Sequence, residues 1–173
     1  MTGRVVQVSV SSGGVTKCSV AEARVGPLGL QGDAHRDPER HRDPEHHGGP
    51  ERAVCLFSLE AIEALRDEGH AITPGAIGEN VTVQGLDWRA VEPGARLLLG
   101  DRVLLQITRY TSPCLKIARA FKEGDSSRVS QKRHPGWSRV YSRVLRGGVI
   151  RPGDSVRLVD EIEAAEVLAI ARG

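Results

Sequence analysis

The chemistry of this chain centres on one run, Thr108-Arg109-Tyr110-Thr111-Ser112-Pro113-Cys114-Leu115-Lys116-Ile117. Upstream, Arg102 to Thr108 reads as a strand, and downstream Leu115 to Phe121 reads as a short helix. Ser112 suits the N-cap of that helix and Pro113 its first position, where a missing N–H costs nothing. Cys114 then falls in the first turn, where free N–H groups and the helix dipole favour negative charge. Arg109 and Lys116 add positive charge nearby. A thiol in that setting is expected to lose its proton readily, and the thiolate is both the nucleophile and a soft metal ligand. The alternative role of a lone cysteine is a small buried hydrophobe.

Two other stretches carry chemistry-bearing residues. In Ile72-Thr73-Pro74-Gly75-Ala76-Ile77-Gly78-Glu79-Asn80, a rigid loop feeds a strand from Val81 to Val83, with Glu79 and Asn80 expected at the strand mouth. In His35 to Gly49 the sequence His-Arg-Asp-Pro-Glu occurs twice, and four of the six histidines lie there: His35, His41, His46 and His47. Its prolines forbid a continuous helix. The spacing matches no standard zinc pattern, so a polar loop and a histidine–carboxylate metal site both stay open.

The 173 residues suffice for one domain with a real core, and 39% are hydrophobic. Only 3% are aromatic, so Val, Leu, Ile and Ala must fill that core. Glycine (20) and proline (9) mark many turns, as in a fold of short strands. The formal charge of +2, from 24 basic and 22 acidic residues, does not fit a general nucleic-acid binder. Basic runs at Lys132-Arg133-His134 and Arg139 to Arg146 read as solvated surface, with an anionic partner as the alternative. Cys18, Cys55 and Cys114 are odd in number, widely spaced and without a CxxC pair, which argues against a disulfide framework or a cysteine zinc site. No run approaches the ~18 apolar residues of a membrane span. Met1-Thr2-Gly3-Arg4 lacks a signal-peptide apolar core, so a reducing cytoplasm is the expected compartment.

The elements that must position these residues read as follows. Arg4 to Ser11 alternates as a strand, with Val6, Val8 and Val10 on one face and Val5, Gln7 and Ser9 on the other. Val15 to Val20 returns antiparallel, and Ala21 to Gly32 reads as loop. Ala53 to Phe57 is a buried strand with Cys55 in its core. Ser58 caps a helix running to about Asp67, with Leu59, Ala61, Ile62 and Leu65 on its apolar side and Gly69 stopping it. Leu97 to Leu99 and Val103 to Thr108 form a hairpin about Gly100-Asp101. The Pro152-Gly153-Asp154 turn leads into a strand from Ser155 to Val159, and Glu161 to Ala171 forms a docked C-terminal helix. The expected fold is mainly β with a few short helices, a barrel in a single domain over residues 1–173.

These segments, in this order, resemble the MOSC domain, named after the C-terminal domain of molybdenum cofactor sulfurase. The likeness rests on Gly32-Asp33, His47-Gly48-Gly49, Ala53-Val54, Pro74 to Thr82 and the Leu99-Gly100-Asp101 turn. It continues through Arg109 to Cys114, Gly136-Trp137, Arg143-Val144-Leu145 and Gly147 to Asp154, covering about residues 1–160. Each piece alone is weak, whereas the ordered set with the single cysteine is strong. It is nearest to the stand-alone bacterial members associated with detoxifying N-hydroxylated bases such as 6-hydroxylaminopurine. The resemblance implies a MOSC-type β-barrel in which Cys114 is a molybdenum ligand in molybdenum cofactor, or a sulfur-carrying thiol. Family-level pyridoxal phosphate binding comes with it. Two departures stand out: the segment before His47 is enlarged by its duplication, and Tyr-Thr-Ser-Pro precedes the cysteine.

Reducing an N–OH bond takes two electrons, which no side chain cycles reversibly, so a redox cofactor is required. Under the resemblance, Arg109, Lys116 and Arg143 are candidates for the anionic pterin tail, with Thr111 and Ser112 beside them. Asn80 matches the edge of a pterin ring, and Glu79 or His47 supplies protons. Glu79 and Asn80 as turn caps, Arg143 in a structural ion pair, and Trp137 as either pocket wall or core stay open. With no GxGxxG fingerprint, electrons must come from a separate reductase. The expected partners are that reductase and a small N-hydroxylated substrate, without membrane or nucleic acid, and with room for a homodimer. The other functions weighed are a sulfur carrier or cofactor-handling module with a Cys114 persulfide, and a non-enzymatic binding surface from Lys132 to Arg146.

Overall fold

The computed structural model describes residues 1–34 and 48–170. Short, branched-aliphatic strands separated by glycine turns build a sheet, and that sheet closes on itself. Its strands are β1 (Thr2–Val10), β5 (Val54–Ser58), β6 (Val81–Gln84), β7 (Arg96–Leu99), β8 (Val103–Tyr110), β9 (Val140–Arg146) and β11 (Ser155–Val159). The order is β11-β7-β8-β9-β5-β6-β1, and β1 pairs again with β11 through Gly3 and Val156, closing a seven-stranded barrel. The strand β2 (Cys18–Val20) extends β1 on its far half. A small second sheet joins β10 (Gly148–Ile150), β3 (Ala23–Gly26) and β4 (Gly29–Leu30).

All barrel pairings are antiparallel except β5–β6, which are parallel and therefore need a crossover. That crossover is α1 (Leu59–Asp67). Ser58 starts it as expected, its Oγ accepting from Ala61 N at 3.2 Å, and Ile62 and Leu65 are its buried residues. The C-terminal helix α2 (Glu161–Ile170) packs Ala164 and Val167 on the outward-facing Leu98 and Leu104 of the β7–β8 hairpin.

The barrel interior is aliphatic: Val5, Val8, Val54, Leu56, Val81, Leu97, Leu105, Ile107, Val140 and Val156 are buried there. A second core lies outside the barrel wall. There Phe57 meets Ile62 and Leu65 of α1, and Ile117, Phe121 and Val129 of the segment between β8 and β9.

Three expectations change. Ala21 to Gly32 is not loop but the β3–β4 hairpin, whose glycines serve its tight turn. Arg139 to Arg146 is not solvated surface. It is mostly β9: Val140 and Ser142 are buried because alternate residues point into the barrel, and Arg139, just before the strand, is buried against the Ile77 loop instead. In β1, a bulge between Val5 and Gln7 shifts the phase, so Val5 and Val8 both face the interior instead of Val6, Val8 and Val10. The duplicated histidine segment, His35 to His47, lies outside the described residues.

Candidate active site

Strand register sets one polar row across the outer wall of the barrel. Arg109 on β8 is paired with Tyr141 on β9, and Tyr141 with Cys55 on β5. Because Val54, Leu56 and Val140 face inward, Cys55 and Tyr141 must face outward. The row continues at the entrance of β6, where Asn80 N donates to Cys55 O at 2.7 Å, and at β1, where Ser9 N donates to Asn80 O at 2.8 Å.

A buried polar hub covers the inner part of this row. Lys17 Nζ lies 2.6 Å from Asp33 Oδ2, with both side chains almost wholly out of solvent. Asp33 also accepts from Ser11 N at 3.0 Å and from Asn80 Nδ2 at 3.0 Å. Asn80 spends its other groups on Cys55 N (3.1 Å, through Oδ1) and Ser9 O (3.2 Å, through Nδ2). Asn80 is thus saturated and ties three strands together, which leaves no free edge for a pterin.

Glu79 is fully buried rather than at a strand mouth. Its Oε1 accepts from Gly75 N at 2.7 Å and from Thr82 Oγ1 at 3.2 Å. Burial pushes its carboxyl above the usual range, opposed by the Gly75 N–H and the nearby Arg139 charge. The reason for the enclosure is the Gly75 turn. Gly75 sits at φ 85°, and a Cβ there would lie 2.6 Å from Lys17 O, so the loop folds directly onto the chain before β2. Proton delivery to a surface ligand is therefore not the role this placement gives Glu79. It holds the loop that closes over the hub.

Arg139, missed in the sequence reading, links the hub to the cysteine loop. Its Nη1 donates to Ile77 O, and its carbonyl accepts from Thr111 N at 3.0 Å. Arg139 Nε, Glu79 Oε2 and Thr111 Oγ1 are buried atoms without a hydrogen-bond partner among the described residues. Cys55, enclosed in the same hub, has its thiol pushed up to about 11 by burial, with Arg139 acting in the opposite direction. Tyr141 was missed too. Burial pushes its phenol up to about 12, the charges of Cys55 and Cys114 push the same way, and those of Arg139 and Arg52 oppose. The Arg52 guanidinium stands over its ring at 5.9 Å. The signal for Tyr141 was the alternation Val140-Tyr141-Ser142-Arg143, masked by the basic residues around it.

Cys114 is half-buried and near enough to Tyr141 of the row for its charge to act on the phenol. The helix after it is a short 3-10 helix, Leu115–Ala120, with Cys114 itself at the N-cap in extended conformation (φ −136°, ψ 168°). Ser112 is exposed and does not cap it, since the helix begins only at Leu115. The thiol thus stands one step before the helix instead of inside its first turn. Leu115 beside it is 92% exposed, and Lys116 and Arg109 are exposed as well. Arg143, also exposed, pairs with Glu51 at 3.6 Å. Trp137 is stacked beneath Arg128 at 3.8 Å and packs on the outer core, so it is no wall of this site. His47 lies outside the described residues. Among the described residues no group of three or more His, Cys, Asp or Glu could hold a metal ion, and no helix is long and apolar enough to cross a membrane.

A half-exposed thiol at the lip of a buried polar hub on a seven-stranded barrel defines a class, and comparison with known proteins agrees. The MOSC domain family model matches residues 43–157, and the chain belongs to that family. The YUAD protein of Bacillus subtilis has a similar structure, with TM-score 0.70 and 18% identity over 91% of this chain and 96% of its own. YiiM from Geobacillus stearothermophilus is similar with TM-score 0.66 and 27% identity over 91% of this chain and 75% of its own. A protein of Gibberella moniliformis named "Reductase" is 33% identical over 87 residues, 50% of this chain. The chain spans only 15% of that relative's length. Related MOSC proteins bind molybdenum cofactor.

Proposed function

We propose that this MOSC protein binds molybdenum cofactor through Cys114 and reduces N-hydroxylated bases or related compounds to amines, with electrons from a separate reductase. The observation that carries the reading is the half-exposed Cys114 thiol with the buried, unpartnered Thr111 hydroxyl three residues before it. A soft thiolate suits molybdenum, and an orphaned buried hydroxyl is a group that a bound ligand would satisfy. The residues present therefore fit the cofactor. Cys114 would supply the metal ligand and Thr111 a hydrogen bond. Arg109 and Lys116 would pair with the anionic tail, as a fork and as a point charge. Arg143 can join them by leaving Glu51, since an exposed pair at 3.6 Å holds it weakly.

When bound, the cofactor supplies the two-electron chemistry that no side chain provides. The protein's own residues do the rest. Arg139 fixes the Thr111 backbone and hence the cysteine loop. The Lys17–Asp33–Asn80 hub keeps the wall behind it rigid. Tyr141, largely buried beside Cys55 in the row, keeps its proton at neutral pH.

The test is turnover of an N-hydroxylated purine by protein made in a cofactor-producing host, with an added electron-donating reductase. The proposal expects amine formation by the unsubstituted chain and none by Cys114→Ser. Equal rates for both, or full activity from a cofactor-deficient host, would overturn it. A persulfide on Cys114 in molybdenum-free protein would move the assignment to sulfur carriage.

A further inference from the structure

A second concavity lies on the other side of β8. Tyr110 pairs with the inward-facing Val140, so its side chain leaves the opposite face of the sheet from Arg109 and Tyr141. There it lines a cleft of about 400 Å3 with Trp88, Arg89, Glu92, Gln131 and Gly136. None of the residues assigned above to the cysteine site lines it. The size falls within the ~300–1,000 Å3 of small-molecule sites.

The lining carries both an acidic and a basic side chain, Glu92 and Arg89. Burial raises the Tyr110 pKa and the charge of Glu92 raises it further, so the phenol stays protonated. The Glu92 carboxylate accepts, and the phenol beside it donates or accepts. Arg89 extends across Gly136: a Cβ added to that glycine would sit 3.3 Å from Arg89 Cγ and 3.6 Å from its Nε. The absence of a side chain at Gly136 is what lets Arg89 lie along this wall. Gln131 Oε1 accepts from Gly136 N at 2.9 Å, which anchors the Gln131 amide to the same glycine. Arg89 supplies the donors of the lining. Trp88 is fixed beside it, its indole N–H donating to Ser138 O at 2.9 Å and its ring set edge-to-face on Phe57 at 6.1 Å. With its N–H used, Trp88 offers only its aromatic surface.

We propose that this cleft is a second ligand site, taking a flat aromatic molecule with an amidine-type donor edge at one end and an anionic or carbonyl acceptor at the other. The donor edge meets Glu92 and Tyr110, the ring lies on Trp88, and the acceptor meets Arg89. Charge-assisted, two-pronged contacts at each end set orientation, and aromatic surface supplies the burial.

The test uses 4-amidinobenzoate, with benzamidine and benzoate as half-probes. Trp88 and Trp137 are the only tryptophans, so Trp137→Phe leaves Trp88 as the reporter, and titration calorimetry on the unsubstituted chain checks that this change is silent. The expected result is saturable quenching with a Kd below about 1 mM for the two-ended probe. Binding is expected to be about tenfold weaker for each half-probe and for Glu92→Gln and Arg89→Ala, both exposed positions outside the core. Cys114→Ala is expected to bind as the parent does, so this outcome is separate from the molybdenum reading. Non-saturable quenching with no heat of binding would overturn the proposal, as would saturable binding that neither Glu92→Gln nor Arg89→Ala weakens.

Discussion

The Lys17–Asp33 pair shows why the identity of a few buried residues matters more than their number. Asp33 neutralises a lysine with no access to water and also holds Ser11 N and Asn80 Nδ2. Asp33→Ala leaves Lys17 charged, buried and deprived of this carboxylate, which costs about 3–5 kcal/mol. Urea unfolding should show that loss, and a change under about 1 kcal/mol would contradict the account. Glu79 behaves differently. Its folded carboxyl titrates above the ordinary value of 4.5, so the folded state holds a proton that the unfolded chain has released. The stability this contributes is complete below about 4.5 and is lost as pH rises through the raised folded value. Glu79→Gln removes that dependence. Between pH 5 and 8 the Tm of the parent should therefore fall relative to Glu79→Gln, by roughly 2–4 °C for each kcal/mol involved. Parallel Tm profiles would show that Glu79 carries no such linkage.

At the scale of elements, local signals were strongest where one residue type does one job. Ser58 as N-cap, the Gly100-Asp101 hairpin and the Pro152-Gly153-Asp154 turn are legible because cap and turn chemistry is local. Ser58→Ala should cost about 0.5–2 kcal/mol by chemical denaturation, through loss of the Ala61 N–H bond, while a neutral result would mean that Glu60 or water replaces the cap. Strand β9 was illegible for the opposite reason. Arg139, Arg143 and Arg146 give it a basic surface pattern, and only its pairing with β5 and β8 shows that Val140 and Ser142 face inward. The β1 bulge was equally hidden, since it arises from pairing with β6 and not from any residue of β1 alone. The site followed the same division. Cys114 was singled out by its flanking proline and charges, and the structure places it half-buried, with the cap falling on Cys114 instead of Ser112. Tyr141 and Arg139 were not readable, because their partners are 30 to 90 residues away in sequence or lie across the barrel wall. The cover over α1 is likewise non-local. Arg128 reaches Glu68 with two bonds of 2.7 and 2.8 Å and stacks on Trp137, holding the segment between β8 and β9 against the outer core.

The barrel works as a closed frame that holds the half-exposed Cys114 thiol outside its wall. Closure depends on β1 meeting both β6 and β11 at its first residues, where a Cβ on Gly3 would lie 2.2 Å from Gln84 O. Gly3→Ala must therefore push the strands apart. Overpacking of this kind costs about 1–3 kcal/mol, and hydrogen exchange should rise first in β6 and the adjoining end of β1. Unchanged exchange there would mean that closure does not need the glycine. With the frame closed, the hub beneath Arg109, Tyr141 and Cys55 stays dry, and Cys114 alone of the three cysteines combines partial exposure with a neighbouring orphaned hydroxyl. In the proposed function this thiol anchors molybdenum. The most direct measurement is molybdenum and pterin content of the unsubstituted chain and of Cys114→Ala, both made in a cofactor-producing host and both checked for the same circular dichroism. The account predicts close to one molybdenum per unsubstituted chain and none in the folded Cys114→Ala protein, whereas equal molybdenum in the two, or none in either, would contradict it.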